Sequence, residues 1–345
     1  MHTRTLLIGR ADGRINLRLK SRVLWVNLLL IALAVLLALF ALCYGTLRIT
    51  PGQVWQALQG EGPRGFITVI AQWRAPRVVM ALVLGAGLGV SGAIFQSAIR
   101  NPLGSPDVVG FNTGAFTGAL TVIILFNGSD YQIAAGALAG GIAAAVLVYL
   151  LAWRQGIVGF RLIIVGIGIG AVLSALNSWL IISASLESAM SAALWGAGSL
   201  NGITWEKAQP ALLLIPLTII AVLLTGRRLQ FMEMGDDSAR ALGIHAESSR
   251  IGLMLGGIIL TAAATATAGP IAFIALAAPQ IARRMTASNA VPLFSAATVG
   301  ALLLLSADVV AQHAFSGIQL PVGAVTISIG GLYLIGLLIR ESRRL

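Results

Sequence analysis

The sequence carries too little charge to cover a soluble surface. Only 10% of its 345 residues are Asp, Glu, Lys or Arg, whereas soluble domains contain about 25%. The mean hydropathy is +0.91, and 12 acidic and 23 basic residues are too few to solvate a 35.8 kDa globule. These counts exclude a soluble enzyme and predict that most of the exterior faces lipid.

The chain also lacks residues that several kinds of site require. Its single cysteine, Cys43, cannot form an internal disulfide or a cysteine-ligated metal cluster. Its lysines, Lys20 and Lys207, follow Leu19 and Glu206, so neither completes the G-x-x-x-x-G-K-[ST] sequence of a phosphate-binding P-loop. We therefore expect no ATP hydrolysis by that route, no catalytic residues, no cofactor and no metal site.

Long apolar runs predict an all-α, polytopic membrane protein with ten transmembrane helices. Eight runs approach the length needed to cross a hydrocarbon core of ~30 Å. They lie at 23–45, 78–95, 115–126, 133–153, 162–182, 211–224, 293–310 and 322–339. Residues 251–282 are also apolar, but Gly269-Pro270 divides them into two spans, because proline removes a backbone donor and clashes with the preceding turn.

The basic residues predict that both termini are cytoplasmic. With the N-terminus inside, five of the 23 bases fall on the outer side, and positively charged residues favour the cytoplasmic side. These five are Arg48, Arg64, Arg74, Arg77 and Lys207. The net charge of +11 is spread over loops and does not indicate nucleic-acid binding. The predicted organisation is a cytoplasmic segment at 1–22, a transmembrane domain at 23–340 and a cytoplasmic tail at 341–345.

Two connections are long enough to contact other proteins. The outer connection, 48–77, contains Thr50-Pro51, which predicts a short surface helix continuing to Leu58. Arg74 and Arg77 make its end the main positive spot of the outer side, suited to lipid headgroups or to an acidic partner. The inner connection, 226–250, holds four acidic and four basic residues, which favours docking of a soluble partner.

Glycine pairs at i, i+4 spacing have two interpretations. Such pairs let helix backbones approach closely, and three occur: Gly85/Gly89, Gly136/Gly140 and Gly166/Gly170. Gly168 lies between the two members of the third pair, and Asn177 follows further along the same predicted helix. This helix is therefore also a candidate to line a path for a bulky solute.

Two other features leave further functions open. Asp308 lies within a span, where a carboxylate is costly and often functional, so ion coupling and a helix-end hydrogen bond are both possible. Gly89-Val90-Ser91-Gly92 has the G-x-S-G form of an intramembrane serine protease, with His313 as the candidate base. The small residues around Ser91 favour plain helix packing over a protease site, because a close contact between helices explains them without further function.

Five runs, in order along the chain, resemble the permease subunits of ABC importers for ferric siderophores and vitamin B12. They are Trp73-Arg-Ala-Pro-Arg77, Gly85-Ala-Gly-Leu-Gly-Val-Ser-Gly-Ala93, Asn101-Pro-Leu-Gly-Ser-Pro-Asp107, Gly269-Pro-Ile-Ala-Phe-Ile-Ala-Leu-Ala-Ala-Pro279 and Leu320-Pro-Val-Gly-Ala-Val-Thr326. Residues 193–205 and 233–243 are most similar to the ferric-enterobactin, or catecholate, branch.

The resemblance implies the partners of a bacterial inner-membrane importer. These are a second permease subunit, two cytoplasmic ATP-binding cassette subunits, a periplasmic binding protein and a ferric siderophore, with the iron kept in its chelate. It assigns binding-protein docking to Arg74 and Arg77. It assigns ATPase coupling to the 226–250 connection, at Met234, Gly235, Asp236, Asp237, Ala239, Leu242 and Gly243. Cobalamin or haem is the alternative substrate, and an ion-coupled carrier using Asp308 is the alternative mechanism.

The sequence departs from the family pattern in three places. Gln312 stands where the family often has a third outer arginine, which would suit one half of a heterodimer with a paralogous permease. Gln280 replaces the usual His, and Gly330-Gly331-Leu332 replaces the usual Gly-Ala-Pro, so no role is carried over to these positions.

Overall fold

The apolar runs form helices in the computed structural model, which describes residues 5–8, 17–107, 110–153, 159–288, 290–315 and 317–342. A short antiparallel hairpin, β1 (Thr5–Ile8) and β2 (Leu17–Lys20), precedes them, with Thr5 opposite Lys20. The α-helices of the described residues are α1 (Ser21–Cys43), α2 (Pro51–Leu58), α3 (Arg64–Ile67), α4 (Ala75–Ile99), α5 (Phe111–Thr121), α6 (Asp130–Ala152), α7 (Gly159–Ser183), α8 (Leu186–Gly196), α9 (Trp205–Glu233), α10 (Asp236–Ala241), α11 (Ala246–Ala268), α12 (Ile274–Thr286), α13 (Leu293–His313) and α14 (Val322–Ser342).

The helices confirm a polytopic α-helical membrane protein. Seven helical segments in the described part of the chain are long and apolar enough to cross a bilayer, and the shorter apolar helices Phe111–Phe126 and Val322–Tyr333 match two more predicted spans. The predicted break at Gly269-Pro270 is present between α11 and α12. With 13 residues, α12 is about 20 Å long, so it is shorter than the ~30 Å hydrocarbon core.

Two connections are more helical than expected. The second predicted span begins at Arg64 rather than near residue 78, because α3, a π-helical stretch (Thr68–Arg74) and α4 form one helical segment through Ile99. Pro76 lies inside this continuous segment, directly after its π-helical stretch, where the regular i to i−4 hydrogen bonding of an α-helix is already interrupted. Likewise α9 continues through Glu233, beyond the predicted limit at 224, since the residues after its apolar stretch are good helix formers.

The predicted surface helix after Thr50 is confirmed as α2. The Thr50 hydroxyl accepts a hydrogen bond from the Gln53 backbone N–H, and the Gln53 Oε1 accepts one from the Thr50 N–H at 3.0 Å. This capping box satisfies two backbone donors that a helix start leaves unpaired. Within α2, the side chains of Val54 and Ala57 are buried, whereas that of Trp55 is 64% exposed.

The core is built around α4, most of whose residues are buried. It packs against α13, α11, α9 and α12. A Cβ atom placed on Gly85 would overlap the carbonyl oxygen of Gly300, and one placed on Gly89 would overlap that of Ala296. Gly140 approaches the carbonyl oxygen of Gly114 in the same way. The packing interpretation is therefore confirmed for the first two glycine pairs.

Replacing Gly92 by Ala is expected to destabilise the protein by about 3 kcal/mol, the cost of overpacking a dense core. The new methyl group would overlap the backbone carbonyl of Ala275, which belongs to α12 and cannot rotate away. The measurement is thermal unfolding of the detergent-purified protein. Gly168→Ala is the matched control, since no atom lies within 4 Å of that Cβ position; equal unfolding temperatures for the two variants would contradict the prediction.

Candidate functional site

Arg77 and Asp308 form a buried ion pair that joins α4 to α13. The Arg77 Nε donates to Asp308 Oδ2 at 2.9 Å and its Nη2 donates to Oδ1 at 2.9 Å. The Asp308 side chain is fully buried and that of Arg77 is 12% exposed. Gln312 adds a hydrogen bond from its Nε2 to Asp308 Oδ2 at 2.8 Å. Gln312 thus helps to hold the Asp308 carboxylate, and both carboxylate oxygens accept hydrogen bonds from side chains of this protein.

Arg74, the other arginine assigned to docking, is held by backbone oxygens. Its Nη1 donates to Leu42 O at 2.7 Å and its Nη2 donates to Leu47 O at 2.7 Å. The residue is half-buried, and no acidic side chain pairs with it among the described contacts. Arg74 therefore keeps an uncancelled positive charge, whereas Asp308 cancels that of Arg77.

The other cations predicted to lie outside differ in their contacts. Arg48 and Arg64 are exposed, and the Arg48 guanidinium lies 5.9 Å from the centre of the Tyr44 ring. Lys207 is paired with Asp130, with Nζ 2.6 Å from Oδ2. Arg48 and Arg64 thus add positive charge close to the loop that Arg74 fixes.

The protease interpretation of Ser91 is wrong. The Ser91 Oγ donates to Gly257 O at 2.7 Å and lies 2.8 Å from the Thr261 hydroxyl, so it joins α4 to α11 in the core. His313 is exposed, and its Nδ1 contacts Val309 O at 2.8 Å on its own helix. Neither side chain is a hydrogen-bond partner of the other, which a serine–base pair requires.

The glycines of α7 do not pack as the other pairs do. A Cβ on Gly168 would meet nothing within 4 Å, and the nearest atom to one on Gly170 would be 3.9 Å away. Their closest approach to another helix is at Gly110, where a built Cβ would lie 3.1 Å from the Gly166 carbonyl oxygen and 3.6 Å from Gly170 N. The Asn177 amide donates to Thr113 O at 3.5 Å, while its buried Oδ1 has no hydrogen-bond partner.

Large apolar side chains are exposed along α7 and α14. Examples are Ile167 at 58% and Trp179 at 62% on α7, and Leu332 at 70% and Ile335 at 56% on α14. Space beside Gly168 together with these exposed faces is what a helix needs to line a path or to contact another membrane subunit.

The residues assigned to ATPase coupling divide between two faces of α10 and its flanking turns. Gly235 has φ +117° and Gly243 has φ +76°, conformations that favour glycine, so glycines set both ends of the helix. Ala239 is fully buried, whereas Met234 is 70% and Leu242 is 59% exposed. Only the exposed members of this set can contact another protein without rearrangement.

Charged residues of this segment are also placed differently. Asp237 is exposed and pairs with Arg240 at 3.5 Å, and the side chain of Asp236 lies outside the described residues. Glu233, the last residue of α9, accepts hydrogen bonds from the Ser97 hydroxyl and from Val291 N. Arg100 donates to Met232 O at 3.1 Å. The end of α9 is therefore tied to the C-terminal end of α4, a contact that the spacing of residues in the sequence did not indicate.

Asp107, the last residue of the Asn101–Asp107 run, organises the connection after α4. Its Oδ1 accepts from the Asn112 amide at 2.6 Å and its Oδ2 accepts from Phe273 N at 3.3 Å. Desolvation raises the pKa of the Asp107 carboxyl to about 7, and the hydrogen bond from Phe273 N opposes that rise. Phe273 has φ +70°, a strained conformation for a residue with a side chain, and it persists only where neighbouring contacts fix it.

This arrangement of spanning helices around a buried central helix defines a membrane-embedded transport permease. The fold is similar to that of a metal-chelate-type ABC transporter solved in an inward-facing conformation, with a TM-score of 0.79, 27% identity and coverage of 92% of this chain and 99% of that one. PsaBC from Streptococcus pneumoniae, in complex with Fab, shares the fold at a TM-score of 0.55 and 13% identity, over 83% of this chain and 94% of that one.

The chain belongs to the FecCD transport family, whose model matches residues 31–340. It is 55% identical over 323 residues to the ferric enterobactin transport system permease protein FepG of Escherichia coli K12, which covers 94% of this chain and 98% of FepG. It is 32% identical to the vitamin B12 import system permease protein BtuC of Salmonella newport, over 98% of this chain and 100% of BtuC. These findings confirm the resemblance predicted from the five sequence runs.

Proposed function

We propose that this chain is a permease subunit of an ABC importer that moves a ferric siderophore of the catecholate type into the cytoplasm. The observation that carries the proposal is the 55% identity to the ferric enterobactin permease FepG over 94% of the chain. The solved metal-chelate transporter of similar fold supports the same substrate class. The chain itself supplies the path, and partner ATPases supply the energy.

The proposed mechanism is alternating access in a pair of permease subunits. ATP-driven closure of the two ATPases would move the exposed surface at Met234 and Leu242. The hydrogen bonds that Glu233 accepts from the Ser97 hydroxyl and from Val291 N would pass this movement to α4 and to the start of α13. We propose that α7 and α14 reorient around the path, because helices that carry a path must switch between two packed arrangements.

The proposed orientation places both termini and α10 in the cytoplasm. The five bases assigned to the outer side leave the inner side with the clear excess of positive charge that membrane topology requires. The loop fixed by Arg74, together with Arg48 and Arg64, then faces the periplasmic binding protein.

Iron uptake into cells with and without this chain tests the function. Radioactive iron is presented as catecholate chelates, as hydroxamate chelates and as free salt, and labelled cobalamin is counted in parallel. Loss of catecholate uptake alone is the expected result. Loss of cobalamin uptake would keep the importer and change its substrate, and no loss for any compound would contradict the proposal and favour the Asp308-coupled carrier.

Arg74→Gln is expected to weaken capture of the binding protein about tenfold, because charge complementarity steers and holds an acidic partner. Glutamine retains a donor for the loop carbonyls while removing the charge. The measurement is binding-protein affinity of the reconstituted transporter at low and high salt. Lys207→Gln is the control, since Lys207 is already paired with Asp130; an equal effect of both variants would remove Arg74 from the docking surface.

A further inference from the structure

A groove runs between α9 and α11 on the surface of the helix bundle. Its volume is about 470 Å³, and all its lining residues belong to these two helices. The exposed side chains of Leu217, Leu255 and Ile259 form its rims, while Val222 and Gly256 are buried at its floor. A Cβ on Gly252 would meet no atom within 4 Å, so the groove is open beside the second turn of α11.

The groove has one polar end and one apolar end. Arg228 and Ser248, both exposed, line the polar end, and Leu217 and Ile259 line the other. Arg228 lies about 16 Å from Leu217 along α9, and Ser248 about 16 Å from Ile259 along α11, at 1.5 Å per residue. This length matches one leaflet of a hydrocarbon core of ~30 Å, so the groove fits a single acyl chain.

The polar end carries an uncancelled positive charge. Within the described part of the chain, no acidic side chain lines the groove, and no hydrogen bond or ion pair involves the Arg228 side chain. Glu247, the acidic residue next to Ser248 on α11, forms an ion pair with Arg250, with 3.0 Å between Oε2 and Nη1. Arg228 is two residues beyond the apolar span Trp205–Gly226, at the level where lipid phosphates lie.

We propose that this groove is a binding site for an anionic phospholipid of the cytoplasmic leaflet. Arg228 binds the headgroup phosphate, the Ser248 hydroxyl hydrogen-bonds to it, and one acyl chain lies against Gly252 and Gly256. Basic pockets between transmembrane helices on the cytoplasmic side suit anionic headgroups of this kind. The proposal rests on the orientation proposed above, since it requires the Arg228 end to be cytoplasmic.

A second permease subunit is the competing occupant of an exposed helix face. None of the groove's lining residues belongs to α7 or α14, the helices assigned to the path and to the contact with the second subunit. Among the described lining residues the one cation is Arg228, and a cation beside a narrow apolar groove matches a lipid with one charged headgroup better than it matches the apolar side of a helix.

The test is native mass spectrometry of the purified, delipidated importer complex titrated with phosphatidylglycerol and, separately, with phosphatidylethanolamine of the same acyl chains. The wild type is expected to bind phosphatidylglycerol more tightly. Arg228→Gln is expected to weaken phosphatidylglycerol binding about fivefold, the effect of one basic residue near an anionic headgroup, and to leave phosphatidylethanolamine unchanged. Arg283→Gln is the control, because Arg283 is an exposed arginine of α12 outside the groove.

A second variant tests the acyl-chain part of the site. Gly252→Leu places a side chain in the open space of the groove and should lower retention of both lipids, whereas Gly52→Leu on α2, equally unobstructed, should lower neither. Equal affinity for the two lipids in the wild type, or lipid retention unchanged by Gly252→Leu, overturns the proposal. Because the readout is bound lipid, its failure is distinguishable from a failure of the uptake experiment.

Discussion

Replacing Asp308 with Leu is expected to destabilise the protein by about 3–5 kcal/mol, the cost of breaking a buried ion pair by removing one partner. Arg77 would keep its charge at a position where only 12% of the side chain is exposed. Gln312 would lose the carboxylate oxygen that accepts its amide hydrogen at 2.8 Å. The measurement is reversible unfolding of the purified protein, or its unfolding temperature where refolding fails.

The double variant Arg77→Met/Asp308→Leu is the control for this prediction. Replacing both charged residues by apolar ones removes the uncompensated charge, so most of the lost stability should return. A double variant as unstable as Asp308→Leu would contradict the role of the pair as a clamp between α4 and α13.

The same double variant separates the importer from the ion-coupled carrier. If the pair is structural, iron uptake should survive in proportion to the amount of folded protein. A variant that is stable, binds its partner proteins normally and yet transports nothing would support ion coupling through Asp308.

The variant Met234→Ser/Leu242→Ser is expected to reduce ATPase association by at least thirtyfold, since a buried interface anchor contributes about 2 kcal/mol or more. These side chains are 70% and 59% exposed on the surface of α10 and its turns, so their truncation leaves the permease core intact. Uptake should fall with the loss of association. The measurements are co-purification of the ATPase and transport in reconstituted vesicles.

A control makes this result specific to the coupling surface. Trp55→Ser truncates an equally exposed side chain, at 64%, on the opposite side of the proposed topology and should leave ATPase association unchanged. Normal ATPase association in the Met234/Leu242 variant would contradict the assignment of α10.

A bulky residue at Ala239 is a poorer probe of coupling than the sequence suggests. Ala239 is fully buried in the main core, which also contains Leu229 and Met232 of α9. A large side chain there would detach α10 from its own protein before it affected a partner. The sequence run Glu233–Gly243 marks the segment, but the face of each residue depends on how α10 folds back on α9.

The sequence by itself determined where most of the apolar helices lie and where one of them is interrupted, because these features depend on local composition. It did not predict that the second span begins at Arg64 or that α9 continues through Glu233. Apolar runs must be helical to satisfy their backbone groups in lipid, Gly269-Pro270 must break a helix, and Thr50 with Gln53 caps α2. The five family motifs could likewise be recognised in the sequence without the structure.

Tertiary structure alone decided which side chains meet. Arg77 and Asp308 are 231 positions apart, and each reads separately as a surface or functional charge until packing of α4 on α13 pairs them. The glycine pairs have the same spacing, yet a Cβ on Gly85 would overlap the Gly300 carbonyl oxygen, whereas the nearest atom to one on Gly170 would be 3.9 Å away. Such outcomes depend on relative helix positions and rotations, which are fixed by close packing between distant segments and leave no mark in local sequence spacing.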